Sequence, residues 1–308
     1  MNQLQVLTQA LQMQNWQSVG NTLLAKMLSE FMYEEIIQPE IVETKGDYHL
    51  YRLSLPEGII YSFEAKQRLF DSYRVIPESI QRWEGTQWLP ASNPLKFVLD
   101  VYIAVGMTSE TTAHLLKELS NTLLADAHIK VAKEKQDTDL LEMDYPHLEG
   151  EMEGHPWITF NKGRIGFGYD DYLAHAPERK QAIALFWIAA RQNRAQFNSV
   201  TALDYQTLMT EELGEETLAE FETILKSQNL EPVNYYFLPV HEWQWKNMII
   251  PLFAEDLAIK AIVPLGYSRD RYLPQQSIRT FANISHLQKR YVKLPLSILN
   301  TLVYRGLP

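Results

Sequence analysis

Apolar side chains recur at helical spacing near the start of the chain. Leu24, Met27, Leu28 and Phe31 fall on one face and Pro39 marks a stop, so residues 1–38 read as mostly helical. The period then drops to two. Tyr51, Leu53 and Leu55 alternate with polar neighbours, Pro56-Glu57-Gly58 offers a turn, and Ile59 to Ala65 returns as a partner strand. Arg82-Trp83 and Thr86-Gln87-Trp88, joined at Glu84-Gly85, read as a second hairpin. Helices follow at about 94–105 and 109–133, the second with a stripe of Leu116, Leu119, Leu123 and Ala127. Residues 134–150, rich in Asp, Glu and Lys and holding Pro146, read as a linker. Beyond them the pattern predicts helices near 177–193 and 211–228. Strands are predicted at 235–240 and near 259–265, 276–283 and 289–297. Helices and antiparallel strands in separate runs, without internal repeats, predict an α+β fold.

The chain's 308 residues suffice for two domains with substantial cores, and its 46% hydrophobic and 21% charged residues fit a globular protein. The net charge of −10 argues against nucleic-acid or anionic-membrane partners, which need a basic face. With no cysteine, disulfides, thiolate metal sites and a thiol nucleophile are excluded. No signal-like segment opens the chain, and no apolar run approaches the ~18 residues of a membrane span. A cytoplasmic protein is expected. The apolar stretch from Leu294 to Val303 lies just before Pro308 and reads as interrupted, exposing an apolar patch that a following domain would cover. The alternative is a terminal strand or helix tucked into the core.

Against this acidic background, cations and hydroxyls gather in a few places. Glu153-Gly154-His155-Pro156 is followed by Lys162-Gly163-Arg164-Ile165-Gly166-Phe167. In an extended segment Lys162 and Arg164 point to one face and can clamp a phosphate or carboxylate, with glycines permitting close backbone approach. A surface hairpin with solvated charges would use the same residues. On a strand Ser277 and Arg279 share a face, and a hydroxyl beside a guanidinium can hold two phosphate oxygens, though such strings are common. Pro239-Val240-His241-Glu242-Trp243-Gln244-Trp245 could stack on a flat ring or fill a core. His241 has no second ligand at metal spacing, and no metal ligands are assigned. Walker-type loops, G-x-G-x-x-G and G-x-S-x-G are absent.

Taken in order, these strings resemble the NRPS-independent siderophore synthetases, the aerobactin-synthetase (IucA/IucC) family. The matches are Glu153-Gly154-His155-Pro156, Lys162-x-Arg164-x-Gly166-Phe167, His241-x-Trp243-Gln244, Ser277-x-Arg279-Thr280, and Lys293-Leu294 leading to Thr301 and Tyr304-Arg305-Gly306-Leu307-Pro308. The resemblance spans about residues 90–308, and the N-terminal helical part more loosely. The resemblance implies a helical thumb-like domain, 1–145, and a fingers-like ATP-binding domain of antiparallel sheet with helices, 146–308, with a palm domain missing. It implies a ligase using ATP and Mg²⁺ to adenylate a carboxyl of citrate or a citrate derivative. A polyamine, amino acid or amino-alcohol acceptor would then attack, giving an amide or ester. Ser277, Arg279 and Thr280 would hold ATP phosphates, with His155, Lys162 and Arg164 lining the nucleotide pocket. Lys293 and Arg305 would bind ATP at the α-phosphate and act catalytically on the developing charge. His241 would face substrate. Three departures stand out: Ile158-Thr159 where the family repeats His-Pro, Glu242 where it has proline, and a chain about half the family's length. The alternative to an enzyme is a non-catalytic remnant or nucleotide-binding module. A homodimer or a palm-bearing partner chain would fit either reading.

Overall fold

The computed structural model describes residues 3–134, 139–200, 203–301 and 303–304. The chain divides into two compact units. The first comprises residues 1–138, 153–165 and 300–302, and the second comprises 139–152, 166–299 and 303–308.

The first unit opens with helices α1 (Gln3–Ala10) and α2 (Met13–Tyr33). The expected apolar face of α2 is realised: Leu24, Met27 and Leu28 are buried, and Phe31 packs beside them. An antiparallel sheet follows, built from β1 (Glu40–Lys45), β2 (Tyr48–Ser54), β3 (Ile60–Gln67), β4 (Tyr73–Val75), β5 (Gln81–Trp83) and β6 (Trp88–Pro90). Its order is β1-β2-β3-β5-β6, with β4 also on β3. Tyr51 lies opposite Phe63 and Leu53 opposite Tyr61, so the alternating residues of both strands share the buried face.

Helix α3 (Pro94–Val101) starts where Asn93 Oδ1 accepts from the amides of Leu95 and Lys96, with Pro94 at a position that needs no amide donor. Helix α4 (Ser109–Lys133) is capped by Thr108, and its Leu119, Leu123 and Ala127 join the same core.

The second unit holds α5 (Tyr145–Leu148), α6 (Tyr169–His175), a sheet ordered β8-β7-β9, helix α7 (Tyr205–Lys226), and a sheet ordered β10-β11-β12. These strands are β7 (Phe186–Arg191), β8 (Tyr235–Val240), β9 (Ile262–Tyr267), β10 (Tyr272–Pro274), β11 (Thr280–Asn283) and β12 (Val292–Lys293). Helix α7 lays Met209, Leu213, Phe221 and Leu225 in one core with Trp187, Phe237 and Val263 of the first sheet. The α+β expectation holds, and the strand expected at 235–240 lies where it was placed.

Four expectations need correction. The helix expected near 177–193 is absent: residues 177–179 make one turn, and Phe186–Arg191 is the central strand β7. Trp187, Ile188, Ala189 and Ala190 are all buried, so the strand is covered on both faces and shows no alternation. Helix α7 begins at Tyr205 rather than near 211, and its backbone leaves helical geometry at Gly214 (φ 73°). Of the presumed linker, residues 135–138 lie outside the described residues, whereas residues 139–150 are built into the second unit through α5 and neighbouring turns. Finally, in the apolar run after Lys293, Leu294, Leu296 and Ile298 are buried in the second unit rather than exposed, while Leu302 and the side chain of Val303 lie outside the described residues. Among the described residues no helix is long and apolar enough to cross a membrane.

Candidate functional site

In the first unit, residues 153–164 form a loop of tight turns, not the extended segment expected from the Lys162-x-Arg164 spacing. Arg164 has a left-handed backbone (φ 42°), and its amide donates to Asn300 Oδ1 at 3.2 Å. Lys162 and Arg164 are 4% and 5% exposed, so neither presents a solvated charge. The Lys162 ammonium is held by Asp126 Oδ1 at 2.8 Å, the Glu153 carbonyl at 2.6 Å and Asn161 Oδ1 at 2.7 Å. An ammonium has three protons, and these acceptors occupy all of them.

Lys26 ties down the same loop, donating to the carbonyls of His155 at 3.2 Å and Ile158 at 2.7 Å. Thr159, standing where the resemblance leads one to expect proline, is buried and donates its hydroxyl to Glu30. Gly163 has a steric reason: a Cβ there would lie 2.6 Å from Glu118. His155 alone of the three expected cations is exposed. It lines a cleft of about 680 Å³ with Lys26, Lys130, Lys133, Asp126 and Glu153. Burial, chiefly, pulls the Lys26 ammonium below its ordinary value, and burial likewise raises the Glu30 carboxyl. The Lys133 hydrogen bond holds Glu153 below the usual carboxylate range.

In the second unit, Ser277-Ile278-Arg279-Thr280 is a tight turn rather than a strand. The Gln275 amide donates to the Thr280 carbonyl at 2.8 Å, and the Ile278 amide to the Gln275 carbonyl at 2.7 Å. Ser277 Oγ accepts from the Thr280 amide at 3.0 Å and donates to Thr280 Oγ1 at 2.7 Å. Strand β11 begins at Thr280, whose cross-strand partner on β12 is Lys293, and the Leu294 amide donates to the Arg279 carbonyl at 2.8 Å. Cross-strand partners share a face, so the Thr280 and Lys293 side chains leave the sheet at one corner, with Ser277 hydrogen-bonded to Thr280. Ser277 and Lys293 are exposed, and Arg279 and Thr280 are half-buried. The segment read as linker braces this turn: Glu149 accepts from the Gln276 amide at 2.6 Å and from its side chain at 2.8 Å. Arg305 and residues 306–308 lie outside the described residues.

Behind the corner sits a small dry cluster of Trp243, Ile278, Leu296 and Ile298, with Phe167 and Met248 packed against it. It gathers one or more apolar residues from Gly166-Phe167, from the tryptophan-rich piece, from the Ser277 turn and from the stretch after Lys293. Gly166 (φ 124°) is required there, because a Cβ would meet Ile298 at 2.8 Å.

His241 belongs to this interior, not to a substrate-facing surface. It is 1% exposed, and its ring lies 4.5 Å from that of His175 and 5.6 Å from that of Phe281. Its Nδ1 accepts from the Trp243 amide at 3.0 Å, which assigns the neutral ring's proton to Nε2. Burial, then the neighbouring His175, pushes its pKa well below 6.5, and burial lowers that of His175 too. Glu242 causes no local defect. It opens a helical turn, where an acid suits the dipole as proline suits the geometry, and pairs with Lys246 at 2.5 Å.

Among the described residues no group of three or more His, Cys, Asp or Glu side chains could hold a metal ion. Nothing in the sequence pattern points to Asp126 and Asn161 as partners of Lys162, to Glu149 as the turn's brace, or to Gln244 as a partner of Ser297. Each pairs residues far apart in the chain except Asn161, and none carries a local pattern.

Comparison with known proteins gives a consistent picture. A family model described as the IucA / IucC family matches residues 144–308. The chain is 42% identical over 293 residues to the rhizobactin siderophore biosynthesis protein RhbF of Rhizobium meliloti (strain 1021), covering 95% of this chain and 48% of that protein. It is 30% identical over 305 residues to the citryl-spermidine/3,4-dihydroxybenzoyl-citryl-spermidine:spermidine ligase of Bacillus anthracis, covering 97% of this chain and 49% of that one. Among solved structures, the petrobactin biosynthesis protein AsbB from Bacillus anthracis str. Sterne superposes with a TM-score of 0.86 at 29% identity, covering all of this chain and 51% of that one. The chain thus spans about half the length of the curated relatives it matches.

Proposed function

The chain belongs to the IucA/IucC family, and from that premise we propose that it carries the ATP-binding portion of a ligase for citrate-based siderophores. The observation that carries this reading is the corner where Ser277 and Thr280 share a hydroxyl hydrogen bond and Lys293 lies across the strands from Thr280, with Arg279 next to Thr280 in the chain. Two linked hydroxyls, a guanidinium and an ammonium suit an anion with several oxygens, such as a nucleotide phosphate.

The proposed reaction joins a carboxyl of citrate, or of a citrate derivative, to an amine or hydroxyl. A carboxylate oxygen bonds to the α-phosphorus of ATP, the Pα–O–Pβ bond breaks, and pyrophosphate leaves with its electron pair. The acceptor's nitrogen or oxygen then bonds to the acyl carbon, AMP leaves, and the acceptor loses a proton. Charge develops on the α-phosphate oxygens and the leaving pyrophosphate, where fixed cations lower the barrier. Lys293 and Arg279 are proposed for that role, and Arg305 by family resemblance. Ser277 donates to Thr280, which leaves the Thr280 hydroxyl hydrogen for a phosphate oxygen.

By family resemblance alone His155, Lys162 and Arg164 are proposed as ATP residues; within the first unit Lys162 and Arg164 shape the loop that carries His155. Mg²⁺ would accompany the nucleotide. The described residues offer no ready ligand group for it, so no step is routed through the ion. Spermidine, named for one relative, marks polyamines as an acceptor class for this chain as well. A second reading follows from the share of the relatives' length that is covered: a nucleotide-binding module that turns over only with a partner bearing the remaining half.

Calorimetric titration with ATP and Mg²⁺ tests the reading. The chain should bind ATP, and Arg279→Ala should weaken binding by about tenfold to a hundredfold, as expected for a lost charge-assisted hydrogen bond of ~1.5–3 kcal/mol. Equal affinities would overturn the assignment. Citrate-dependent pyrophosphate release by the chain alone would decide for the enzyme over the module.

A further inference from the structure

We propose that Trp243 and Gln244 are positioning residues: from one helical turn they hold Gly166 and Ser297, and so fix the anion-gripping corner to the Gly166-Phe167 strip. The two residues touch neither an exposed hydroxyl nor an exposed cation of that corner, and act through the backbone behind it.

The Trp243 indole is buried and its Nε1 donates to the Gly166 carbonyl at 3.0 Å. Its ring belongs to the dry cluster with Ile278, Leu296 and Ile298. The Gln244 amide grips Ser297 twice: Oε1 accepts from the Ser297 amide at 2.8 Å, and Nε2 donates to Ser297 Oγ at 3.0 Å. Two bonds from one planar amide fix both the position and the rotation of a segment four residues beyond Lys293. Leu296 and Ile298, flanking Ser297, plug into the cluster on either side.

The opposite limb is held by the same cluster. Ile278, between Ser277 and Arg279, has φ 63°, a conformation that is strained for a β-branched residue. It is nevertheless fully buried, so packing against Trp243 and its neighbours holds the turn in a shape that its own backbone disfavours. The turn bearing Ser277, the strand bearing Lys293 and the Gly166-Phe167 strip are therefore spaced by one pair of side chains. His241 completes the turn by accepting from the Trp243 amide, and Asn247 Nδ2 donates to the Trp243 carbonyl at 2.9 Å.

The inference rests on the nucleotide reading of the corner, and its test separates the two. Gln244→Leu keeps much of the bulk but removes both bonds. Gln244→Glu keeps an acceptor for the Ser297 amide and can take the Ser297 hydroxyl as donor. Hydrogen–deuterium exchange across residues 292–300 reads positioning directly, and ATP–Mg²⁺ titration reads its consequence. Gln244→Leu should speed exchange in that segment by about tenfold or more and weaken ATP binding by about tenfold, the size of one lost hydrogen bond. Gln244→Glu should restore both, and Arg279→Ala should weaken ATP binding without changing exchange. Trp243→Phe, which keeps a ring in the cluster and removes only the indole donor, should weaken ATP binding severalfold. If the unmodified chain fails to bind ATP, the nucleotide reading falls, while faster exchange in Gln244→Leu still supports positioning. Unchanged exchange in Gln244→Leu, or faster exchange with full ATP affinity, would overturn the proposal.

Discussion

The loop around Lys162 and the corner around Lys293 have the same kind of sequence, cations beside small or hydroxyl residues, yet use their charge in opposite ways. Lys162 is 4% exposed with three acceptors on its ammonium, so its charge is spent inside the protein. Lys293 is exposed beside two linked hydroxyls. The loop is built on buried polar pairing. The corner stands on a dry apolar cluster with two neutral imidazoles nearby. A cation in a motif is therefore available to a ligand only where the fold leaves its protons unclaimed.

The largest effect should come from the loop. Lys162→Met strands the part-buried Asp126 and Asn161 side chains and the Glu153 carbonyl, and losing a buried ammonium that pairs with them should cost about 3 kcal/mol. Denaturant unfolding should show a loss of that size. A change under 1 kcal/mol would mean that the ammonium is not committed to the interior, and the contrast would fail.

A smaller effect separates the two regions by pH. His175 and His241 have folded pKa values below 6.5, so in the window beneath 6.5 the unfolded chain binds more protons than the folded one. Their contribution is therefore unchanging above about pH 7, and stability falls on acidification by up to about 1.4 kcal/mol per histidine per pH unit. Around the loop the sign reverses for Glu30, whose raised pKa makes acid favour the folded state through that group. Glu153, lowered by its hydrogen bond to Lys133, keeps its charge to a lower pH than an ordinary glutamate. Thermal melts from pH 7.5 to 5 should thus fall, and a His241→Phe variant should flatten the decline. An equal decline in that variant would remove His241 from the account.

The smallest stability effect belongs to Lys293→Ala. An exposed cation whose side chain points away from the core should change stability by no more than about 0.5 kcal/mol. The same variant should weaken ATP binding by about tenfold. If it unfolds the chain while sparing ATP binding, the two regions have been assigned the wrong way round.

Local patterns were legible where one face meets one core. The α2 stripe, the β2–β3 hairpin with its turn at Pro56-Glu57-Gly58, the β5–β6 hairpin and β8 all follow from periodicity and turn chemistry. The helix misread at 177–193 shows where that logic stops, because β7 is apolar on both faces and its run carries no period to read. The candidate site was legible as composition. Ser277, Arg279, Thr280 and Lys293 are proposed from the sequence as ATP residues, and the antiparallel pairing places Thr280, hydrogen-bonded to Ser277, opposite Lys293. Lys162 and Arg164 read as a clamp, and with His155 as the lining of a nucleotide pocket, but of the three only His155 is exposed.

The sequence by itself determined the elements whose hydrophobic period matches a single buried face, the residue types from which an anion site could be made, and the family. Tertiary structure alone decided which cations face inward, which turn strains Ile278 into place, and which amide clamps Ser297. Those outcomes depend on partners such as Asp126 for Lys162 and Gln244 for Ser297, residues 36 and 53 positions away in the chain. Burial and hydrogen-bond saturation are properties of the space around a side chain, so no pattern among its neighbours in sequence can reveal them.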